Sequence, residues 1–310
     1  MPLFSDEERH IVGLLYAQEG RDAAVKKGLE FVGPKLSTFI DVAESLSPER
    51  CVLMYCWRGG MRSGSVAWLL RTAGFTVTTL TGGYKAWRRY ATEIFEHPFP
   101  FIVIGGATGS GKTPVLRALK EAGESVLDLE HEARHRGSAF GAIGQDEQPT
   151  QEHFENRCAM ELHKAVGRDR VWLEDESRSI GRVTLPAPLW QQLLEAPVAH
   201  LVIPRGQRVR NLVHEYGEYP PEELHAALSR IARRLSPERS RQAFVALAEG
   251  DVAAVADMCL DYYDKYYARA IDHRPSEKIH RYEYATIDLS MISSDLLERA
   301  ARYFQRRETE

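Results

Sequence analysis

At 310 residues, with 44% hydrophobic and 27% charged side chains, the chain is long enough for two domains that each bury a core. No run approaches the ~18 apolar residues of a membrane-spanning helix, so none is expected. The acidic start, Met1-Pro2-Leu3-Phe4-Ser5-Asp6-Glu7-Glu8, lacks the basic-then-apolar order of a secretory signal. The net charge of −4 argues against a general pull toward nucleic acid, and four cysteines without a CxxC pair argue for a reducing cytoplasm rather than a disulfide framework.

Ser5-Asp6-Glu7-Glu8 matches a capping box and opens a helix with Ile11, Val12, Leu14 and Leu15 turned inward, stopped near Gly20. A second helix is predicted from Arg21 to Phe31. Cys51-Val52-Leu53-Met54-Tyr55 reads as a buried parallel strand, which makes Cys51 a small core hydrophobe. Val66, Leu69, Leu70 and Ala73 follow at helical spacing, and Phe75–Leu80 is a further strand closed by Thr81-Gly82-Gly83. Glu96-His97-Pro98-Phe99-Pro100 reads as a linker. Beyond it, buried-strand runs at 101–104, 126–129, 171–174 and 198–203 alternate with helices, the pattern of a parallel sheet covered on both faces. The stretch from Pro220 to Ile271 is almost wholly helical, and a closing helix is predicted after Ser293.

Two loops carry chemistry. In Cys56-Trp57-Arg58-Gly59-Gly60-Met61-Arg62-Ser63, a thiol sits between a strand and a helix N-terminus, where loop amides and the helix dipole favour the thiolate. Gly59 and Gly60 let amides turn inward as an anion nest, and Arg62 is placed to contact a bound oxyanion. The second loop, Gly106-Ala107-Thr108-Gly109-Ser110-Gly111-Lys112-Thr113, matches the Walker A pattern after a strand. Its amides would wrap a diphosphate with Gly106, Gly109 and Gly111 shaping the turn, Lys112 neutralising charge and Thr113 within reach of magnesium. Glu174, Asp175 and Glu176 end a strand as Walker B carboxylates do, and each could hold a metal-bound water.

His131-Glu132-Ala133-Arg134-His135 spells the H-E-x-x-H zinc signature but lies directly after a strand and before Gly137, so no zinc site is expected. The segment instead reads as a loop facing the phosphate site, with Arg134, Arg136 and Ser138 toward the anion. Eight arginines fall between 200 and 245, either a surface that tracks a nucleic-acid backbone or a solvated helical face. Tyr262, Tyr263, Tyr266 and Tyr267 have the spacing of core packing rather than base stacking.

Cys56–Ser63, with Leu80-Thr81-Gly82-Gly83-Tyr84-Lys85-Ala86-Trp87 after it, resembles the C-terminal half of a rhodanese domain, whose loop cysteine carries sulfur or selenium. The long loop is similar to those of rhodanese-fold phosphatases and suits a phosphate-sized anion such as selenophosphate. A rhodanese domain normally starts with an Asp-x-Arg strand; none lies before Cys56, so the domain is expected to be shortened and loosely ordered. Together with His135–Gly141, Gln148-Pro149, Phe154-Glu155-Asn156-Arg157 and Trp172–Gly181, the two loops resemble the tRNA 2-selenouridine synthase family.

The expected class is therefore α/β: an incomplete rhodanese-like domain over 1–97, then a P-loop NTPase-like parallel-sheet domain over 98–310 with a helical C-terminal part. The resemblance implies a transferase that replaces sulfur by selenium at the wobble 2-thiouridine in the anticodon region of tRNA. It implies selenophosphate as selenium donor and an S-geranyl intermediate made from geranyl diphosphate, with Cys56 acting in selenium transfer. Whether the P-loop takes geranyl diphosphate or a nucleotide such as ATP stays open at this level, as do magnesium and the oligomeric state. The alternative is a P-loop kinase or regulatory nucleotide-binding protein whose rhodanese remnant is not catalytic.

Overall fold

The computed structural model describes residues 2–272 and 274–307, and the chain divides into two units, Met1–Tyr90 and Ala91–Glu310. The first unit begins with three helices, α1 (Asp6–Gln18), α2 (Arg21–Val32) and α3 (Leu36–Leu46). The Ser5–Glu8 capping box is formed in both directions. The expected inward face of α1 is not: α1 buries no residue fully, and Ile11 and Leu14 are 41% and 45% exposed. Its main neighbour is α2, and one contact surface covers only part of an apolar face.

β1 (Cys51–Met54), α4 (Met61–Thr72), β2 (Thr76–Thr79) and α5 (Gly83–Ile94) follow, with β1 and β2 paired in parallel as a two-stranded sheet. One face is closed by Ala43 of α3 and Val66, Ala67 and Leu70 of α4, packed with Phe75 and Val77. The other face is bare. Leu53 is 64% exposed and Cys51 is exposed as well, which corrects the reading of this strand as buried and of Cys51 as a core residue. A continuous apolar run needs cover on both sides to be buried, and within this unit β1 has it on one.

The second unit is built on a five-stranded, all-parallel sheet in the order β4-β5-β3-β8-β9. Its elements are β3 (Phe101–Gly106), α6 (Lys112–Glu121), β4 (Ser125–Leu127), α7 (Leu129–Ala133), α8 (Gln151–Ala165), β5 (Val171–Glu174), a small hairpin β6–β7 (Ser179–Ile180, Val183–Thr184), α9 (Ala187–Glu195) and β8 (Val198–Val202). Four helices come next, α10 (Arg205–Tyr216), α11 (Pro221–Ile231), α12 (Pro237–Ala248) and α13 (Val252–Asp272), before β9 (Ile279–Glu283) and α14 (Leu289–Arg307). β9 has no counterpart among the strands expected from sequence.

Every residue of β3 is buried, the mark of a central strand covered on both faces. Ile102 and Ile104 pack under Val115, Leu116 and Leu119 of α6 and Ile292 and Leu296 of α14; α8 and α9 lie against β4 and β3. The helices α11–α13 close a separate core around Leu228, Ala243 and Leu247. The proline-bearing stretch before β3 is irregular yet fastened, because Gln192 of α9 accepts from the Phe99 amide at 3.0 Å and donates to the Phe95 carbonyl at 2.9 Å. No helix among the described residues is long and apolar enough to cross a membrane.

Candidate active sites: the thiol loop and the phosphate loop

In the first unit, the Cys56 loop is clamped by the start of α5. The Tyr84 amide donates to the Cys56 carbonyl and the Lys85 amide to the Trp57 carbonyl, both at 2.9 Å. That approach requires glycine: Gly83 has φ +64°, and a Cβ there would come 2.2 Å from the Cys56 carbonyl oxygen and the Gly59 nitrogen. The Ser63 hydroxyl donates to Cys56 Sγ at 3.2 Å. Burial pushes the thiol up, but this hydroxyl and the amides of Ser63, Arg58 and Gly60 outweigh it and bring Cys56 down to about 7. Arg62, in the first turn of α4, is exposed and has no acidic partner among the described residues.

In the second unit, the phosphate loop joins the buried β3 to α6. Gly111 caps α6 in the left-handed conformation at φ +80°, and a Cβ on Gly109 would meet the Arg208 carbonyl at 2.8 Å. The loop's carbonyls are engaged: Lys112 Nζ donates to Gly106 at 3.0 Å, Arg208 to Thr108 at 3.2 Å and Asn211 to Gly109 at 3.2 Å. The first-turn amides of α6 have no intrahelical acceptor, the usual condition for anion binding. Ser110 Oγ is buried in the loop without a partner.

Carboxyl groups surround this cationic end. Thr113 Oγ1 donates to Glu130 at 2.9 Å. Burial, with help from Asp128 and Glu215, raises Glu130 to about 7 against the opposing pull of Lys112 and Thr113. Glu176 packs on the Gly137 backbone, where a Cβ would sit 2.2 Å from its Oε2; burial and then Glu130 raise it to about 8. Glu174 is fully buried with neither oxygen hydrogen-bonded, and burial, Glu130, Asp128 and Glu176 together push it far up. Asp175 differs: it is paired with the buried Arg274 at 2.6 Å.

Beside the loop a cavity of about 370 Å³ opens, within the ~300–1,000 Å³ range of small-molecule sites. Thr108 to Thr113, Arg136 and Ser138 form its polar end. Leu224, Leu247, Val255, Cys259 and Leu260 line it farther in. Glu130 belongs to its wall, whereas Glu174, Asp175 and Glu176 do not reach it. Arg134, expected to face the anion, turns the other way toward the Glu147 carbonyl at 3.3 Å; its left-handed backbone, φ +49°, ends α7 and reverses the chain. α7 has only five residues, so His131 and His135 do not share a helix face, and Glu132 is held by Arg157 at 2.6 Å.

Family models match both units: "tRNA 2-selenouridine synthase AAA domain" over residues 99–294 and "Rhodanese-like domain" over residues 6–90. A curated tRNA 2-selenouridine synthase from Bordetella petrii is 39% identical, the alignment covering 86% of this chain and 80% of that protein. One from Bordetella bronchiseptica is 38% identical over 86% and 82%, and one from a Sulfurovum strain is 34% identical over 91% and 85%. The chain belongs to the tRNA 2-selenouridine synthase family.

Gln148 joins two of the strings that carry the family resemblance to their flanking residues. Gln148 donates to the carbonyls of Ala133 at 3.0 Å and Ile180 at 3.1 Å and accepts from the Arg182 amide at 2.9 Å. With the Arg157–Glu132 pair, this fixes the 135–138 loop where Arg136 and Ser138 meet the cavity. Sequence reasoning missed Glu130, which immediately precedes the zinc-like string, and the whole apolar wall, whose residues look like ordinary helix core.

Replacing Ser63 by Ala removes one donor to the Cys56 thiolate, so the midpoint of its pH-dependent alkylation by iodoacetamide should rise from about 7. An unchanged midpoint would mean that the hydroxyl does not stabilise the thiolate. A second expectation concerns stability. Glu176 is raised in the fold, so its stabilising contribution is complete below the unfolded value of 4.5 and fades as pH climbs through about 8. Between pH 5.5 and 8.5 the ligand-free protein should therefore lose thermal stability, and Glu176→Gln should lose less; parallel melting curves for the two would contradict this.

Proposed function

We propose that this chain replaces sulfur by selenium at the wobble 2-thiouridine of tRNA, passing through an S-geranylated intermediate. The observation that carries the reading is the two-ended cavity, with phosphate-loop amides and Lys112 at one end and Leu224, Leu247, Val255 and Leu260 inside. A nucleoside needs polar partners for its base and ribose, and these inner residues provide none. A prenyl diphosphate matches both ends, which favours geranyl diphosphate over ATP as the P-loop ligand.

In the first step, the thiocarbonyl sulfur of the tRNA base attacks C1 of geranyl diphosphate. The S–C1 bond forms as the C1–O bond breaks, diphosphate leaves, and the base gives up its N3 proton to solvent. Lys112 and the first-turn amides of α6 take up the charge that develops on the leaving group. A magnesium ion brought by the diphosphate would find oxygen ligands in Thr113 and Glu130, the sparse protein ligation magnesium tolerates. Arg136 closes the same end, aimed by Glu215 at 3.1 Å. Selenophosphate is assigned to the other unit, where the Cys56 loop offers amides and a thiol near neutrality to a phosphate-sized anion.

The two roles separate by mutation. Lys112→Ala should abolish geranyl transfer to 2-thiouridine tRNA yet leave selenation of tRNA that is already S-geranylated. Cys56→Ser should do the reverse, since thiolate chemistry is lost while the phosphate loop is intact. Liquid chromatography of the digested nucleosides reads both, and equal activity of both variants with wild type in both assays would remove the proposal.

A further inference from the structure

The cavity's long wall is one face of a single helix. Tyr267, Tyr263, Cys259, Val255 and Val252 all line it and recur at every fourth or third position of α13. The helix therefore presents an inclined stripe of side chains that advances by about 6 Å for every four residues. Its two ends differ. Tyr267 lies at the phosphate loop, with Lys112 Nζ 5.0 Å from its ring centroid. Val255 lies in the apolar core of the helical region, with Leu224 of α11 and Leu247 of α12. Between them, Tyr263 accepts from the Ala139 amide at 3.3 Å, which fixes the stripe to the loop carrying Arg136 and Ser138. The Arg208–Asp264 pair, at 2.7 Å, ties α13 to α10 beneath the phosphate loop.

We propose that this face of α13 measures the prenyl tail: the diphosphate is fixed beside Tyr267, and the tail ends at Val255 and Ala256 against Leu224 and Leu247. The inference rests on the assignment of a prenyl diphosphate to this cavity. An extended isoprene unit is roughly as long as one helical turn, about 5.4 Å. The turn at Tyr267 is taken up by the diphosphate. One unit then lies along Tyr263, and a second along Cys259 and Leu260. Val255 and Ala256, with Val252 beyond them and Leu224 and Leu247 opposite, crowd the far end where a third unit would begin, so the wall favours two units over three. Ala256 is a half-buried alanine, so a larger side chain there reaches into the cavity with little disturbance to the core behind it.

The test measures competition among dimethylallyl, geranyl and farnesyl diphosphates for transfer to 2-thiouridine tRNA by the full chain. Inorganic pyrophosphate binding reports that each variant keeps its phosphate end. Ala256→Phe should lower the geranyl-to-dimethylallyl preference by at least about 10-fold, the discrimination that removing space for a few methylenes provides. Leu247→Ala should raise the farnesyl-to-geranyl preference by a similar factor. Where Leu247→Ala unfolds the helical core, Ala256→Phe alone decides. Unchanged preferences in a variant that still binds pyrophosphate would overturn the ruler and leave the prenyl assignment standing. A wild-type chain that transfers none of the three would overturn the assignment and the ruler with it.

Discussion

A single ammonium group, Lys112, stands among more buried carboxyl groups than it can neutralise. Glu130, Glu174 and Glu176 crowd the same end of the sheet, and burial raises all three. Burial holds these groups protonated above the ordinary carboxyl range, because charging them in a low-dielectric interior costs more than Lys112 returns. An anion at the phosphate loop would meet Lys112 beside carboxyl groups whose ionisation burial resists. That constraint explains why Thr113 and Glu130 are already hydrogen-bonded and why Arg136 is aimed by Glu215 rather than left free.

The helical region serves the same end. Several of the arginines that suggested a nucleic-acid surface are committed to ion pairs within the helical region. Arg205 binds Asp257 and Asp261, at 2.6 and 2.7 Å, and Arg239 binds Asp261 at 3.2 Å. Arg208 is itself buried and reaches both Asp264 and the Thr108 carbonyl. These pairs lock α10 and α12 to α13 and, through Arg208, lock α13 to the phosphate loop. Partly buried charge networks of this kind gain little net stability over apolar packing but fix register, and register is what a binding wall along a helix requires.

Much of this was legible because it is local. The capping box, the two glycine-bearing loops and the β3 run lie in short windows whose spacing dictates conformation, and their strings are specific enough to carry a family resemblance. What escaped was non-local. Nothing in sequence says that Glu130 sits under Thr113, or that Arg205 will find aspartates some fifty residues on. β1 was misjudged because an apolar run shows the wish for cover and not its supply. β9, Ile279-His280-Arg281-Tyr282-Glu283, alternates in the right way, but it is short, charged and preceded by a long helical pattern that masks it.

The central claim is that one cavity takes an anionic head and an apolar tail together. Titration calorimetry at several temperatures, comparing geranyl diphosphate with inorganic pyrophosphate, tests it most directly. Burying the tail should make the heat-capacity change of geranyl diphosphate binding more negative than that of pyrophosphate, by on the order of 0.1 kcal/mol/K. Equal heat-capacity changes for the two ligands would mean that the tail stays in water, and the account would be contradicted at its centre.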